Sequence, residues 1–212
     1  MIVCGIDEAG RGSFVGPMAI AGVAVDERNL GTLRDAGVRD SKTLSPRARE
    51  SLCHTILENS VAHTVRRVRP RTIDNSVVLH GLSDLEIDRM ACIMRDVRAD
   101  AYYVDSCYAD ADLFGRRLAE ASGRPRVRAR TKADSRYTVV AAASILAKVA
   151  RDRSVSRIRL HHPVGSGYPG DTKTAAYVRE IYRATGAFPG FARRSWYTAC
   201  RIAGDERLRV AV

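Results

Sequence analysis

The sequence predicts an α/β fold built on a sheet of about five strands, followed by a helical C-terminal part. Three observations predict it. Two strand-like apolar runs open the chain, strand-like and helix-like segments then alternate, and the last stretch carries helical patterns alone.

The first run, Ile2-Val3-Cys4-Gly5-Ile6, reads as a buried strand with Asp7 and Glu8 at its end, where unpaired carboxylates are costly to bury. "GRGSFVGP" is a glycine-rich turn, and "MAIAGVAV" is a second strand ending at Asp26, so the two form a hairpin. In "DSKTLSPRARESLCHTILEN" a loop leads to Ser45 as N-cap and Pro46 at the first helical position, with an amphipathic helix to about Asn59. "VAHTVRRVRP" alternates as a third strand closed by Pro70. Ser83 and Glu86 have capping-box spacing, and Leu85, Met90, Ile93, Met94 and Val97 give a helical apolar face. "ADAYYVDS" is a short strand with Asp105 at its C-terminal end. A helix through Leu113 and Leu118 follows, then the strand "RVRAR". Asp134 stands just ahead of a long alanine-rich helix. "DTKTAAYVREIYRATG" and "RRSWYTACRIAG" are two further helices, each with Gly just past its end.

With 45% hydrophobic residues in 212, the chain can bury one sizeable core and leaves room for a small appended subdomain. Lys and Arg number 35 against 24 Asp and Glu, a formal net charge of +11 that points to a polyanionic partner, a nucleic acid above all. A solvated basic surface is the plainer alternative. Arginine, suited to bidentate phosphate contacts, outnumbers lysine. The five cysteines, Cys4, Cys53, Cys92, Cys107 and Cys200, are scattered and never spaced as C-x-x-C, against both a disulfide framework and a zinc site. The expected setting is reducing and cytoplasmic. No apolar stretch reaches membrane-spanning length, and the first is cut at Asp7 before a signal-peptide core forms, so no membrane partner is expected.

Four acids occupy comparable places: Asp7 and Glu8 at one strand end, Asp105 at another, and Asp134 at a helix start. Ligand sites in α/β sheets gather outside strand ends, so these distant residues can converge. Clustered carboxylates repel unless cations neutralise them, and their hard oxygens suit Mg²⁺ or Mn²⁺. Two such ions about 4 Å apart support in-line displacement at a phosphodiester. Singly, each acid also fits a turn, strand-end or helix-cap role; it is their combination with basic charge that favours metals. Gly10-Arg11-Gly12 lets bare backbone N–H groups approach a substrate. "GSGYPG", from Gly165 to Gly170, matches G-x-G-x-x-G only literally, since no strand precedes it and Pro169 lies inside it. His161 and His162 lack metal-ligand spacing and read as surface or supporting residues.

Taken together, "GIDEAGRG", "DSKTL", "YVDS", "KADSRYTVVAAASILAKVARD", "GSGYPGD" and "RRSWYTA" resemble ribonuclease HII in its archaeal form, in order and over almost the whole chain. The resemblance implies an RNase H-like fold, a mixed five-stranded sheet flanked by helices with a C-terminal helical extension. Residues 1–160 would form the catalytic core and 161–212 a helical, substrate-contacting part of the same domain. It implies an endonuclease that hydrolyses the RNA strand of RNA–DNA hybrids and incises 5′ of ribonucleotides embedded in duplex DNA, in replication and repair. Two-metal-ion catalysis would leave 5′-phosphate and 3′-hydroxyl ends.

By motif, Asp7, Glu8, Asp105 and Asp134 would be the catalytic, metal-binding carboxylates, with Mg²⁺ or Mn²⁺ as cofactor. Gly10, Arg11 and Gly12 would recognise the 2′-hydroxyl at the RNA to DNA junction, the group that separates RNA from DNA. Tyr168 would stack on the sugar beyond it, and Ser41 and Lys42 would hold backbone phosphate. Arg193, Arg194 and Trp196 stand at a helix end that either touches nucleic acid or, for Trp196, belongs to the core, the reading preferred for it. Ser13 replaces a usual proline, a change expected to loosen the Gly-Arg-Gly turn slightly. No extra domain before the first strand and Asp rather than Glu as the fourth acid favour ribonuclease HII over HIII. A monomer is expected. A sliding-clamp partner stays open, because the C-terminal "RLRVAV" carries no clear clamp motif. Two rivals remain: another RNase H-like metal nuclease such as a resolvase, and a basic nucleic-acid-binding protein without catalysis.

Overall fold

The structure, a computed structural model, describes residues 1–39, 41–79 and 81–204. Its five strands are β1 (Ile2–Ala9), β2 (Met18–Asp26), β3 (Ser60–Val68), β4 (Ala101–Asp105) and β5 (Val127–Arg130). They form one sheet in the order β3-β2-β1-β4-β5. β1 pairs antiparallel with β2, from Ile2 opposite Asp26 to Ala9 opposite Ala19, whereas β1–β4 and β4–β5 are parallel, so the sheet is mixed as expected. Eight helices are described: α1 (Leu30–Asp35), α2 (Pro46–Glu58), α3 (Pro70–Leu79), α4 (Leu82–Asp96), α5 (Ala111–Ser122), α6 (Thr138–Arg159), α7 (Thr172–Thr185) and α8 (Tyr197–Ala203).

Local chemistry explains most boundaries. Ser45 caps α2 by accepting from the Ala48 N–H, with Pro46 opening the helix. Asp110 and Asp171 cap α5 and α7 in the same way, and Gly123, Gly186 and Gly204 end α5, α7 and α8 in the left-handed region. Three expectations change. Asp7 and Glu8 lie inside β1, which runs on to Ala9. Pro70 opens α3 rather than merely closing β3, because its fixed φ and missing N–H suit a first helical turn. Ser83 lies inside the first turn of α4, where its Oγ accepts from Arg11 Nη2 at 3.4 Å.

The described chain divides into two compact units, each assembled from separated segments. Unit 1 holds residues 1–9, 19–66 and 86–150; unit 2 holds 10–18, 67–85 and 151 onward. The core of unit 1 joins Val3 of β1 and Ala21, Val23 and Val25 of β2 to Ile56 of α2 and to Val139, Val140, Ala143 and Ala147 of α6, all but closed to solvent. Gly5 faces the Val139 backbone so closely that any Cβ would collide with its carbonyl, so glycine is what lets α6 lie against β1. On the other side of the sheet, Gly22 leaves room for Ile93 of α4 beside Cys4 and Ile6. No described helix is long and apolar enough to cross a membrane.

Candidate active site

β1 carries Asp7 toward Ser144 of α6, and the carboxylate is 4% exposed. Its pKa is pushed up to about 8, first by burial and then by the negative charge of Asp105, with Asp134 adding to the rise. The Ser144 hydroxyl and the Glu8 N–H, which reaches Asp7 Oδ1 at 2.7 Å, pull the other way. Asp105, last residue of β4, is also raised, chiefly by burial and partly by Asp134, while the Ala133 N–H at 2.6 Å and Lys42 oppose the shift. Asp134 sits in a 3-10 turn, Ala133–Ser135, just before α6, and is itself buried. The structure therefore brings Asp7, Asp105 and Asp134 into electrostatic contact and ties half-buried Glu8 to Asp7 through the backbone.

Two motif residues support this cluster. Lys42 Nζ is 3.0 Å from Asp134 Oδ2 and stays largely exposed. Ser41, expected on phosphate, is fully buried, with its Oγ 2.8 Å from Ser144 Oγ. That places Ser41 beneath the carboxylates, bracing the hydroxyl that faces Asp7.

The arrangement fits a hard divalent cation. The donors are all carboxylate oxygens. Asp7 and Asp105 are pushed toward protonation by burial and mutual repulsion, which a cation relieves. Asp134 Oδ1 is buried without a hydrogen-bond partner among the described residues. No three His, Cys, Asp or Glu among them form a ready ligand shell, so water and substrate oxygens would have to complete the coordination.

Unit 2 carries the other motifs expected to contact substrate. The Gly-Arg-Gly segment folds as a turn in which the Ser13 N–H donates to the Gly10 carbonyl at 3.2 Å. Gly10 adopts φ 81°, and a Cβ there would sit 3.0 Å from Arg151 Cγ and 3.1 Å from the Pro17 oxygen, so only glycine fits. Gly12 is exposed with open space beside it. Arg193, fully buried, grips this turn from below: Nη1 and Nη2 donate to the Arg11 and Gly10 carbonyls at 2.6 Å each, and Nε and Nη2 to the Gly16 carbonyl at 3.3 Å. Trp196, 6% exposed, stacks against that guanidinium at 4.6 Å and donates to the Gly12 carbonyl at 3.4 Å. Trp196 is core as expected, whereas Arg193 does not reach solvent. Asp74 fixes the same segment by accepting from the Arg194 and Ser195 N–H groups and the Ser195 hydroxyl.

The Ser166–Tyr168 segment is stitched to the Gly-Arg-Gly turn. The Phe14 and Val15 N–H groups donate to the Gly167 carbonyl at 2.8 and 2.9 Å. Arg151 Nη2 donates to Ser13 Oγ at 2.9 Å and to the Ser166 carbonyl at 2.6 Å, and its guanidinium lies 4.3 Å from the centre of the Tyr168 ring. Ser13 is thus held by both its N–H and its hydroxyl, two contacts that a proline, lacking both groups, could not make. Tyr168 stays 39% exposed, its ring backed by Arg151 and open to a ligand. Asp171 accepts from the Ser166, Lys173 and Thr174 N–H groups, bonds that hold its carboxyl down at about 2. Sequence reasoning missed Arg151 and Arg193 as organisers of these turns. The one available signal was their place inside "KVARD" and "RRSWYTA".

A mixed five-stranded sheet with acids grouped on β1, β4 and the turn before α6 is an arrangement suited to a nuclease hydrolase, the class to which the similar proteins belong. The ribonuclease HII family profile matches residues 4–199. The chain is 50% identical over 199 residues to ribonuclease HII of Cenarchaeum symbiosum, covering 94% of this chain and 97% of that protein. The crystal structure of ribonuclease H2 from Pyrococcus horikoshii OT3 superposes with a TM-score of 0.90 at 37% identity, covering all of both chains. Ribonuclease HII in the PCNA complex from Archaeoglobus fulgidus superposes with a TM-score of 0.86 at 36% identity, covering 94% of this chain and 96% of that one. The chain belongs to the ribonuclease HII family, nucleases of RNA–DNA hybrids.

Proposed function

We propose that this chain incises duplex DNA on the 5′ side of an embedded ribonucleotide, besides cutting the RNA strand of hybrids, and that Asp7, Glu8, Asp105 and Asp134 hold Mg²⁺ or Mn²⁺ for that cleavage. The observation that carries the metal reading is the buried, under-neutralised carboxylate group of unit 1: Asp7 pushed up to about 8 and Asp134 Oδ1 unpartnered among the described residues. Bound divalent ions would supply an activated water and charge stabilisation for the leaving 3′-oxygen.

The chain's own residues do the rest. Asp105 and Asp134 are oriented by the Ala133 N–H and by Lys42, and Asp7 by the Glu8 N–H and the Ser41–Ser144 pair. Lys42, exposed beside Asp134, is placed to meet a backbone phosphate. Junction reading falls to the Gly10-Arg11-Gly12 turn, whose backbone Arg193 and Trp196 hold rigid, and to the Tyr168 ring set by Arg151. A pre-set turn and ring lose little freedom on binding, which favours discrimination of a single 2′-hydroxyl.

A sliding-clamp partner is proposed from the relative found in complex with PCNA. The C-terminal "RLRVAV", residues 207–212, lies outside the described residues. The scattered cysteines, all five free, suit a reducing cytoplasm.

The test is an end-labelled DNA duplex with one ribonucleotide, incubated with Mg²⁺, with Mn²⁺ and with chelator. A metal-dependent nick 5′ of the ribonucleotide, leaving a 3′-hydroxyl that a polymerase extends, is expected. Cutting of long hybrids without that nick would remove the junction activity.

A further inference from the structure

A second basic feature lies in unit 1, whereas the turns that carry Tyr168 and Gly-Arg-Gly belong to unit 2. A cavity of about 540 Å³ opens beside Asp134 and is rimmed by the guanidinium-bearing residues Arg34, Arg39 and Arg136. All three are exposed, and among the described residues no carboxylate pairs with any of them. Thr138, first residue of the 22-residue α6, also lines it, so the positive end of that helix borders the same space. Buried Val38 and Ala141 line it as well.

Three exposed guanidiniums that pair with no carboxylate among the described residues, gathered around one cavity at a helix N-terminus, suit an anion, and guanidinium groups match phosphate oxygens. The acid on its edge is Asp134, a member of the carboxylate cluster, so an anion bound there is adjacent to the cutting centre. We propose that this cavity is a phosphate subsite that holds the sugar–phosphate backbone of the substrate next to the scissile linkage. The proposal rests on the ribonuclease reading above for its substrate, but not on junction specificity.

The test compares the wild type, Arg39→Ala/Arg136→Ala, Arg39→Lys/Arg136→Lys and a charge-matched control, Arg116→Ala/Arg128→Ala, whose residues line a different groove along α5 and β5. Binding of a fluorescent RNA–DNA hybrid is followed by anisotropy in chelator over a series of salt concentrations. The pocket alanine pair is expected to bind about tenfold more weakly at low salt and to lower the slope of log K against log salt by about 0.9 for each phosphate that the protein no longer neutralises. The lysine pair keeps most of the slope, and the control pair leaves it unchanged. An unchanged slope in the alanine pair overturns the subsite. So does an equal loss in the control pair, or a lysine pair that behaves like the alanine pair. Wild-type protein that binds hybrid but never cuts it would instead overturn the ribonuclease reading, and the slope comparison would stand.

Discussion

Replacing Asp7 with asparagine is expected to stabilise the metal-free protein at neutral pH. Asp7 is 4% exposed and beside other acids, and its pKa is pushed up from 3.8 to about 8. Between those values the native state holds a proton that the unfolded state has released, so stability falls as pH rises from about 4 to about 8. At pH 7 the gap from 3.8 is about 3 units, and at about 1.4 kcal/mol per unit the ceiling is about 4 kcal/mol. Asp105 shares the repulsion and the site relaxes, so the expressed part is about 1–3 kcal/mol. For a chain of this size that is about 3–10 °C in melting temperature. The assay is a thermal melt of wild type and variant in chelator at several pH values across that window. Asparagine keeps the acceptor for the Glu8 N–H. The variant should melt higher at neutral pH, with the gap closing toward pH 4. A variant that melts lower at pH 7, or a gap that ignores pH, would refute the placement of Asp7 among uncompensated acids.

Other consequences are as direct. Tyr168→Ala should slow incision at a single ribonucleotide about tenfold or more, yet slow cutting of a long hybrid only slightly; equal losses would remove its junction role. Arg193→Met should cost about 3 kcal/mol by denaturant titration, because the Gly10, Arg11 and Gly16 carbonyls lose a buried donor. Arg193→Lys should keep the fold but raise KM for the single-ribonucleotide duplex, since an ammonium lacks the fork. Thiol labelling of the native protein should modify Cys92 and Cys107 first and spare Cys4, whose buried thiol is pushed up to about 12; early labelling of Cys4 would contradict the β1 core.

The strands and the long helices were legible because their apolar periods and end signals agree, as at Ser45-Pro46 and at the glycines after α7 and α8. The acids were legible as a group because each falls at or near the end of a strand or at the start of a helix. α3 escaped notice because Pro70 signals both the close of a strand and the opening of a helix, and the residues that follow decide between them. Ser41 was expected on backbone phosphate and Arg193 at a helix end touching nucleic acid, yet both are buried. Their burial depends on partners distant in sequence: Ser144 for Ser41, and carbonyls more than 170 residues away for Arg193. A pattern along one segment records its period, not the carbonyls another segment will present to it. The Arg151 contacts with Ser13, Ser166 and Tyr168 were hidden for the same reason.

Whether the acids around Asp7 cut nucleic acid with divalent ions is tested most directly by RNA-strand cleavage of a hybrid. Wild type, Asp7→Asn and Asp134→Asn are compared in Mg²⁺, Mn²⁺ and chelator, with hybrid binding followed in parallel. Cleavage only by wild type, only with metal, and with binding kept in all three proteins is the expected result. Full cleavage by either variant, or by wild type in chelator, would contradict the assignment of these acids to the cutting centre.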